Sequence, residues 1–157
     1  MGHRTRAIAT CIVLMLALGN RQPSHAQQAQ SSYQVMSDKF FNLLQQSKAS
    51  DAVDYMFSTN PTLQNMTDEH EQLKAQFTSL GNLAGHYVSH TLLAETTVGG
   101  MFVYQHYFVA YERQPVSVRI KYYKPRSTWV CYGLEFDTKL TDHIQDAVDA
   151  RVPLDVK

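Results

Sequence analysis

The feature that most constrains this fold is a change of hydrophobic period near Gly85. Before it, apolar residues recur every three or four positions, which predicts amphipathic helices. After it, they recur every second position in a β-branched and aromatic sequence, which predicts strands. Helices followed by strands favour an α+β fold, with N-terminal helices packed on one face of a curved four-stranded antiparallel sheet.

Cap and stop signals predict three helical segments before Gly85. The first begins near Ser32 and the second at a Ser50 cap. Asn60, with proline after it, caps the third. A fresh cap at Thr67 would divide that segment in two, and Gly81 is expected to end it.

Four strands are predicted after the helices, joined by turns whose lengths decide which side chains share a face. They cover about 85–98, 101–113, 116–124 and 128–137. Gly99-Gly100 and Gln114-Pro115 are expected to form two-residue turns, and Pro125 to Ser127 a three-residue turn.

This register makes one sheet face more apolar, and that face should meet the helices. Polar and aromatic side chains on it form the candidate ligand pocket, namely His86, His90, Tyr107, Tyr111, Tyr122 and Tyr132. A four-residue turn at the last hairpin would instead place Trp129, Cys131 and Glu135 there.

Rings also fall on the reverse face of the sheet. They are Tyr87, Phe102, Tyr104 and Phe108. With helices on one side only, they would form an exposed apolar patch, which usually marks contact with another chain. We therefore expect a homodimer through this face.

The N-terminal residues have the pattern of a secretory signal peptide. Arg4 and Arg6 precede an apolar run from Ile8 to Leu18, and small residues precede a cleavage site after Ala26. The run is too short to span a bilayer. We expect a signal peptide over 1–26, a flexible tether over 27–32, one domain over 33–137 and a tail or short helix over 138–157, in a secreted or periplasmic protein.

Removing the signal leaves 11 basic and 14 acidic residues, a formal charge of −3. This balance argues against general binding to nucleic acid or anionic membranes. Cys131 is then the only cysteine, expected to be a buried thiol. A basic cluster from Arg113 to Arg126 is typical of a solvated sheet edge, although it could bind an acidic partner.

No catalytic or metal-binding constellation stands in the sequence. His86 and His90 share a predicted face but lie roughly 13 Å apart along a strand, and His106 points away, so no metal site or cofactor is predicted. The sequence has no nucleophile elbow. Glu95 and Glu112 fall on the predicted reverse face, leaving the first three strands without an inward carboxylate.

The order of these elements resembles the nuclear transport factor 2-like (cystatin-like α+β) superfamily, in particular its small secreted bacterial members of unknown function. The resemblance rests on Leu73, Phe77, Gly81, Gly85 and Trp129 and covers about 33–137. It implies a cone-shaped fold in which the sheet wraps the first helix around a pocket, often with dimerisation through the sheet. Relatives such as ketosteroid isomerase and small dehydratases use an Asp, a Tyr or an Asp–His pair, which have no matched positions here.

The sequence therefore predicts an exported, non-enzymatic domain that binds a small apolar ligand or a protein partner. A second hypothesis is a lyase-like or isomerase-like enzyme that uses His86 or His90 as the base and a tyrosine as hydrogen-bond donor. A third is a structural component of a secreted or envelope assembly.

Overall fold

A computed structural model describes residues 32–151, so the predicted signal peptide and most of the tether lie outside the described residues. The elements in chain order are α1 (Ser32–Gln45), α2 (Ala49–Ser58), α3 (Pro61–Gln64), α4 (Thr67–Ala84), β1 (Tyr87–Val98), β2 (Phe102–Tyr111), β3 (Pro115–Tyr123), β4 (Val130–Asp137) and α5 (Leu140–Asp149). The strands form one antiparallel sheet in the order β1-β2-β3-β4. The predicted α+β class is confirmed.

A side-chain cap is present at the start of α3. The Asn60 side chain accepts a hydrogen bond from the Thr62 amide at 3.0 Å, as an N-cap does. The third segment is divided as expected, with α4 beginning at Thr67. Two predicted ends were wrong: α2 begins one residue before Ser50, and α4 continues through Gly81. It ends at Gly85, whose φ of +87° suits glycine.

The hydrophobic core lies between the helices and the inner face of the sheet. α1 and α4 contribute Phe40, Phe41 and Phe77, and the sheet contributes alternate residues of β2 and β3. Val103, Tyr107, Val109, Val116, Val118, Ile120 and Tyr122 all point inward as predicted. The β2–β3 turn is longer than the predicted two residues, since Ala110 pairs with Pro115. An even shift of register leaves every side chain on its predicted face.

β1 departs from the predicted register near its hairpin. Val98 pairs with Phe102, so the turn has three residues rather than two. A bulge at Leu93 then restores the predicted pairing, which keeps His90 on the inner face beside Val109. Between the bulge and the turn every side chain is reversed, and Glu95 therefore faces inward beside Gln105. Its predicted place on the reverse face was wrong.

A second irregularity at the start of β1 moves Tyr87. A register shift between Tyr87 and Ser89 leaves Tyr87 opposite Tyr111 on the inner face, with ring centroids 6.1 Å apart. Tyr87 is thus not part of the reverse face, where the sequence placed it. His86 precedes the strand and is exposed.

The last hairpin combines the two alternatives that the sequence left open. Near the turn Tyr122 pairs with Cys131, so the buried Cys131 faces inward. A register shift beyond this pair then brings Leu134 and Phe136 inward as well. Tyr132 is the extra residue, and its exposed ring contacts Phe102 of the reverse face. The predicted inward position of Tyr132 was wrong.

The segment after β4 contains the short helix α5, which packs against β3 through the buried Leu140. The Asp137 carboxylate lies at the start of α5. Its Oδ1 accepts a hydrogen bond from the Lys139 amide at 2.8 Å, and its Oδ2 lies 2.9 Å from His143 Nε2. These contacts hold the pKa of Asp137 below its ordinary value, the amide contributing most. Between residues 32 and 151 no helix has the length and apolar character of a membrane span.

Candidate functional site

A chain of hydrogen bonds crosses the interior between α1 and the sheet. Gln105 is 1% exposed, and its Oε1 accepts from Ser37 Oγ at 2.6 Å and from Tyr107 Oη at 3.0 Å. Tyr122 Oη lies 2.6 Å from Ser37 Oγ and completes the chain. Burial raises the pKa of both tyrosines, which stay protonated donors. The polar groups at this position therefore satisfy one another and leave no unpartnered group for a ligand.

The chain ends at the Glu95 carboxylate. Gln105 Nε2 donates to Glu95 Oε2 at 2.7 Å, and Tyr33 Oη donates to Oε1 at 3.1 Å. Two donors thus meet at this carboxylate, which acts only as an acceptor. Sequence reasoning missed this residue because the Leu93 bulge that turns it inward has no signal in the local pattern.

His90 lies against α1 rather than in an open pocket. Its ring stacks on Phe41 with centroids 3.9 Å apart, and its Nδ1 contacts the Tyr87 hydroxyl. Partial burial lowers the pKa of His90, and the nearby Asp38 opposes this shift. The Tyr87–His90 contact is the nearest arrangement to the predicted histidine–tyrosine enzyme site.

An open cleft of about 490 Å³ lies at one end of the cone, where the α1–α2 connection, α4 and the β1 and β2 termini meet. Apolar and aromatic side chains form its floor, namely Leu44, Phe77, Tyr87 and Tyr111. Small-molecule sites usually have volumes of roughly 300–1,000 Å³ and an apolar lining. This cleft is therefore our candidate ligand site.

Gly81 leaves open space where a side chain would otherwise lie beside the cleft. It lies within α4 and lines the cleft, and a Cβ placed on it would meet no heavy atom of the surrounding structure within 4 Å. Glycine inside a helix costs about 0.5–1 kcal/mol relative to alanine. Gly81 thus lowers the stability of α4, although no neighbouring protein atom would clash with a larger side chain there.

Polar groups surround the mouth of the cleft. Lys48, Asp51, Asn82 and His86 line its edge. At the floor, burial raises the pKa of Tyr111 to about 12 and also raises that of Tyr87. Both hydroxyls are consequently donors at neutral pH. The cleft thus combines an apolar floor with charged and polar groups at its edge.

The six predicted pocket residues do not form one site. His86 and Tyr111 line the cleft, together with Tyr87. Tyr107 and Tyr122 belong to the buried chain, and His90 packs on α1. Tyr132 lies on a separate groove of about 380 Å³ between α3, α4 and β4. The cleft is lined by Leu44 of α1, Gly81 of α4 and Tyr111 of β2. Because these residues lie on three different elements, strand periodicity alone could not identify the cleft.

Three predicted interface residues, Phe102, Tyr104 and Phe108, lie half-buried on the reverse face. On the same face His106 Nε2 lies 2.7 Å from Ser117 Oγ, and burial lowers the pKa of His106. Ser117 is only 3% exposed, so this pair is a structural contact rather than an accessible nucleophile. The homodimer stays a prediction.

Residues 32–151 contain no group of three histidine, cysteine or acidic side chains placed to hold a metal ion. The Cys131 thiol is buried, and burial raises its pKa to about 12, which keeps it in the unreactive protonated form.

No protein-family model matches this chain, and no curated protein matches it. Among solved structures, the chain is similar to an NTF2-like transpeptidase structure from Campylobacter jejuni, at 12% identity and a TM-score of 0.48. The alignment covers 64% of this chain and 97% of that one. The likeness concerns the backbone, and at this score it supports no inference about activity.

Proposed function

We propose that this protein is an exported, non-enzymatic binding domain that holds a small, largely apolar ligand in the cleft between α4 and the ends of β1 and β2. The observation that carries the proposal is Gly81. This glycine lies inside a helix and lines the cleft together with Phe77 and Tyr111, and a side chain at its position would meet open space. A ligand would pack on the Tyr111 ring and accept a hydrogen bond from its hydroxyl.

The buried chain supports placing the ligand in this cleft rather than deeper in the cone. Gln105 and Tyr122 occupy the interior between α1 and the sheet, and their polar groups are already paired. A ligand there would have to displace these bonds, which are costly to leave unmade. The cleft imposes no such cost.

Two variants of one residue provide the test. Gly81→Phe would place a ring in the cleft, whereas Gly81→Ala adds one methyl group where there is room for it. The probe is 2-naphthol, a neutral bicyclic aromatic compound, followed by chemical shifts of backbone amides. We expect shifts at Thr78, Gly81 and Tyr111, retention of binding in Gly81→Ala, and at least a tenfold loss in Gly81→Phe.

Two results would contradict the proposal. One is the absence of shifts at cleft amides with millimolar probe, and the other is equal binding by the alanine and phenylalanine variants. Native mass spectrometry of protein from its own host is a complementary measurement, since a retained small molecule would show the natural ligand directly.

Export is proposed from the N-terminal sequence, whose apolar run and small residues before Gln27 support cleavage after Ala26. Mass spectrometry of the purified mature protein is the measurement. We expect Gln27 as the first residue, and a mature chain that retains residues 1–26 would refute cleavage.

A further inference from the structure

The two edges of the sheet differ in how their backbone groups are covered. At the β4 edge, the Cys131 amide donates to Thr59 Oγ1 at 2.9 Å, and its carbonyl accepts from Asn60 Nδ2 at 2.7 Å. The end of α2 and the start of α3 thus occupy that edge. At the β1 edge, no described element other than β2 forms hydrogen bonds with the backbone from Ser89 to Thr97.

Apart from its bulge and the inward-facing Glu95, β1 lacks the features that keep edge strands apart. It is twelve residues long and contains no lysine, arginine or proline, the residues that natural edges use to block pairing. Its exposed large apolar side chains are Val88, Leu92, Leu93 and Val98. Unpaired backbone and apolar side chains together make this edge suitable for the addition of another strand.

The placement of hydrogen-bonding side chains along β1 indicates which strand is added. If the bulged pair Leu92–Leu93 counts as one step, His90 lies two steps before it and Glu95 two steps after it. Both side chains point to the inner face. In an antiparallel pair centred on the bulge, His90 of each copy would therefore oppose Glu95 of the other, on the same face.

We propose that two copies of this chain pair antiparallel through their β1 edges, with the twofold axis at Leu92–Leu93. The backbone ladder and the apolar centre supply attraction, and the His90–Glu95 contacts set the register. The two four-stranded sheets then become one continuous sheet, with the α1 helices side by side beneath it. This arrangement differs from the predicted face-to-face dimer and does not depend on the ligand cleft.

Sedimentation velocity of the purified protein and two matched lysine variants tests the pairing. Leu93 on β1 is 52% exposed and Leu83 on α4 is 59% exposed, so either position can accept lysine without loss of core packing. In the paired state the two copies of a lysine at 93 would face each other across the axis. We expect Leu93→Lys to raise the dimer dissociation constant at least tenfold and Leu83→Lys to leave it unchanged.

A cysteine variant gives a direct readout of the axis. Leu93→Cys should form a disulfide-linked dimer under mild oxidation, because the two residues at 93 meet at the axis, whereas Leu83→Cys should not. The native Cys131 is buried and does not interfere.

Two outcomes would overturn the proposal. One is a wild-type protein that remains monomeric at roughly 100 µM, a concentration at which micromolar dimers are populated. The other is a dimer that persists in Leu93→Lys but is lost in Tyr104→Lys, which would place the interface on the reverse face.

Discussion

Replacing Gln105 with leucine tests the buried hydrogen-bond chain most directly. The two side chains have similar volume, so the change leaves little cavity, and the cost comes from stranded polar groups. The Tyr107 hydroxyl loses its acceptor, while Ser37 Oγ retains a longer contact with the Tyr33 carbonyl at 3.2 Å. A buried hydroxyl without a partner costs about 1–3 kcal/mol. Glu95 is exposed and can bind water instead, so we expect a total loss of about 3 kcal/mol.

Urea unfolding followed by circular dichroism measures this loss as a shift of the midpoint at unchanged slope. The matched control is Tyr122→Phe, which removes one donor at the far end of the chain and strands no other donor. It should cost about 1 kcal/mol. If Gln105→Leu were no more destabilising than Tyr122→Phe, the Tyr107 hydroxyl must find another partner and the reasoning would fail.

Three further predictions concern a substitution in α4, the reactivity of Cys131 and the dependence of stability on pH. Gly81→Ala should raise the free energy of unfolding by about 0.5–1 kcal/mol, measured by the same urea titration; a loss of stability would show that the added methyl group has no room. Cys131 should react with a thiol reagent only in denaturant, and rapid labelling of the native protein would contradict its burial. Burial lowers the pKa of His90 and His106, so the unfolded chain binds more protons below the ordinary histidine pKa of about 6.5. Stability should be fully present above that pH and fall as the pH falls toward the folded pKa values, with a smaller decrease in His90→Gln, measured by thermal unfolding between pH 7.5 and 5.

The faces of β2 and β3 were predictable because both strands lie in the middle of the sheet. β2 alternates between buried and partly exposed residues from Phe102 to Val109, and β3 does so from Val118 to Tyr122. The predicted turn between these strands was too short, but the register error was an even number of residues. Each side chain therefore stayed on its predicted face of the sheet. Burial on one face thus determines the pattern wherever neighbouring strands lie on both sides.

The edge strands could not be predicted in the same way. β1 is exposed along nearly its whole length, so its sequence carries little alternation from which to locate the Leu93 bulge. One inserted residue then moved Glu95 to the inner face, and similar irregularities moved Tyr87 and Tyr132. The cleft was unpredictable for another reason, because residues far apart in the chain form its floor.

The buried chain and the cleft lie on the same face of β2, and this allows their independence to be tested. Gln105 and Tyr111 are six residues apart, roughly 20 Å along a strand. Sites separated by more than about 10 Å usually contribute additively to stability. We therefore expect Gln105→Leu to destabilise the protein without weakening 2-naphthol binding, and Gly81→Phe to block binding without the loss of stability seen in Gln105→Leu. The contrary outcome is that Gln105→Leu abolishes binding while the protein remains folded. That result would place the bound ligand in the interior, beside the buried chain, with the cleft only as its entrance.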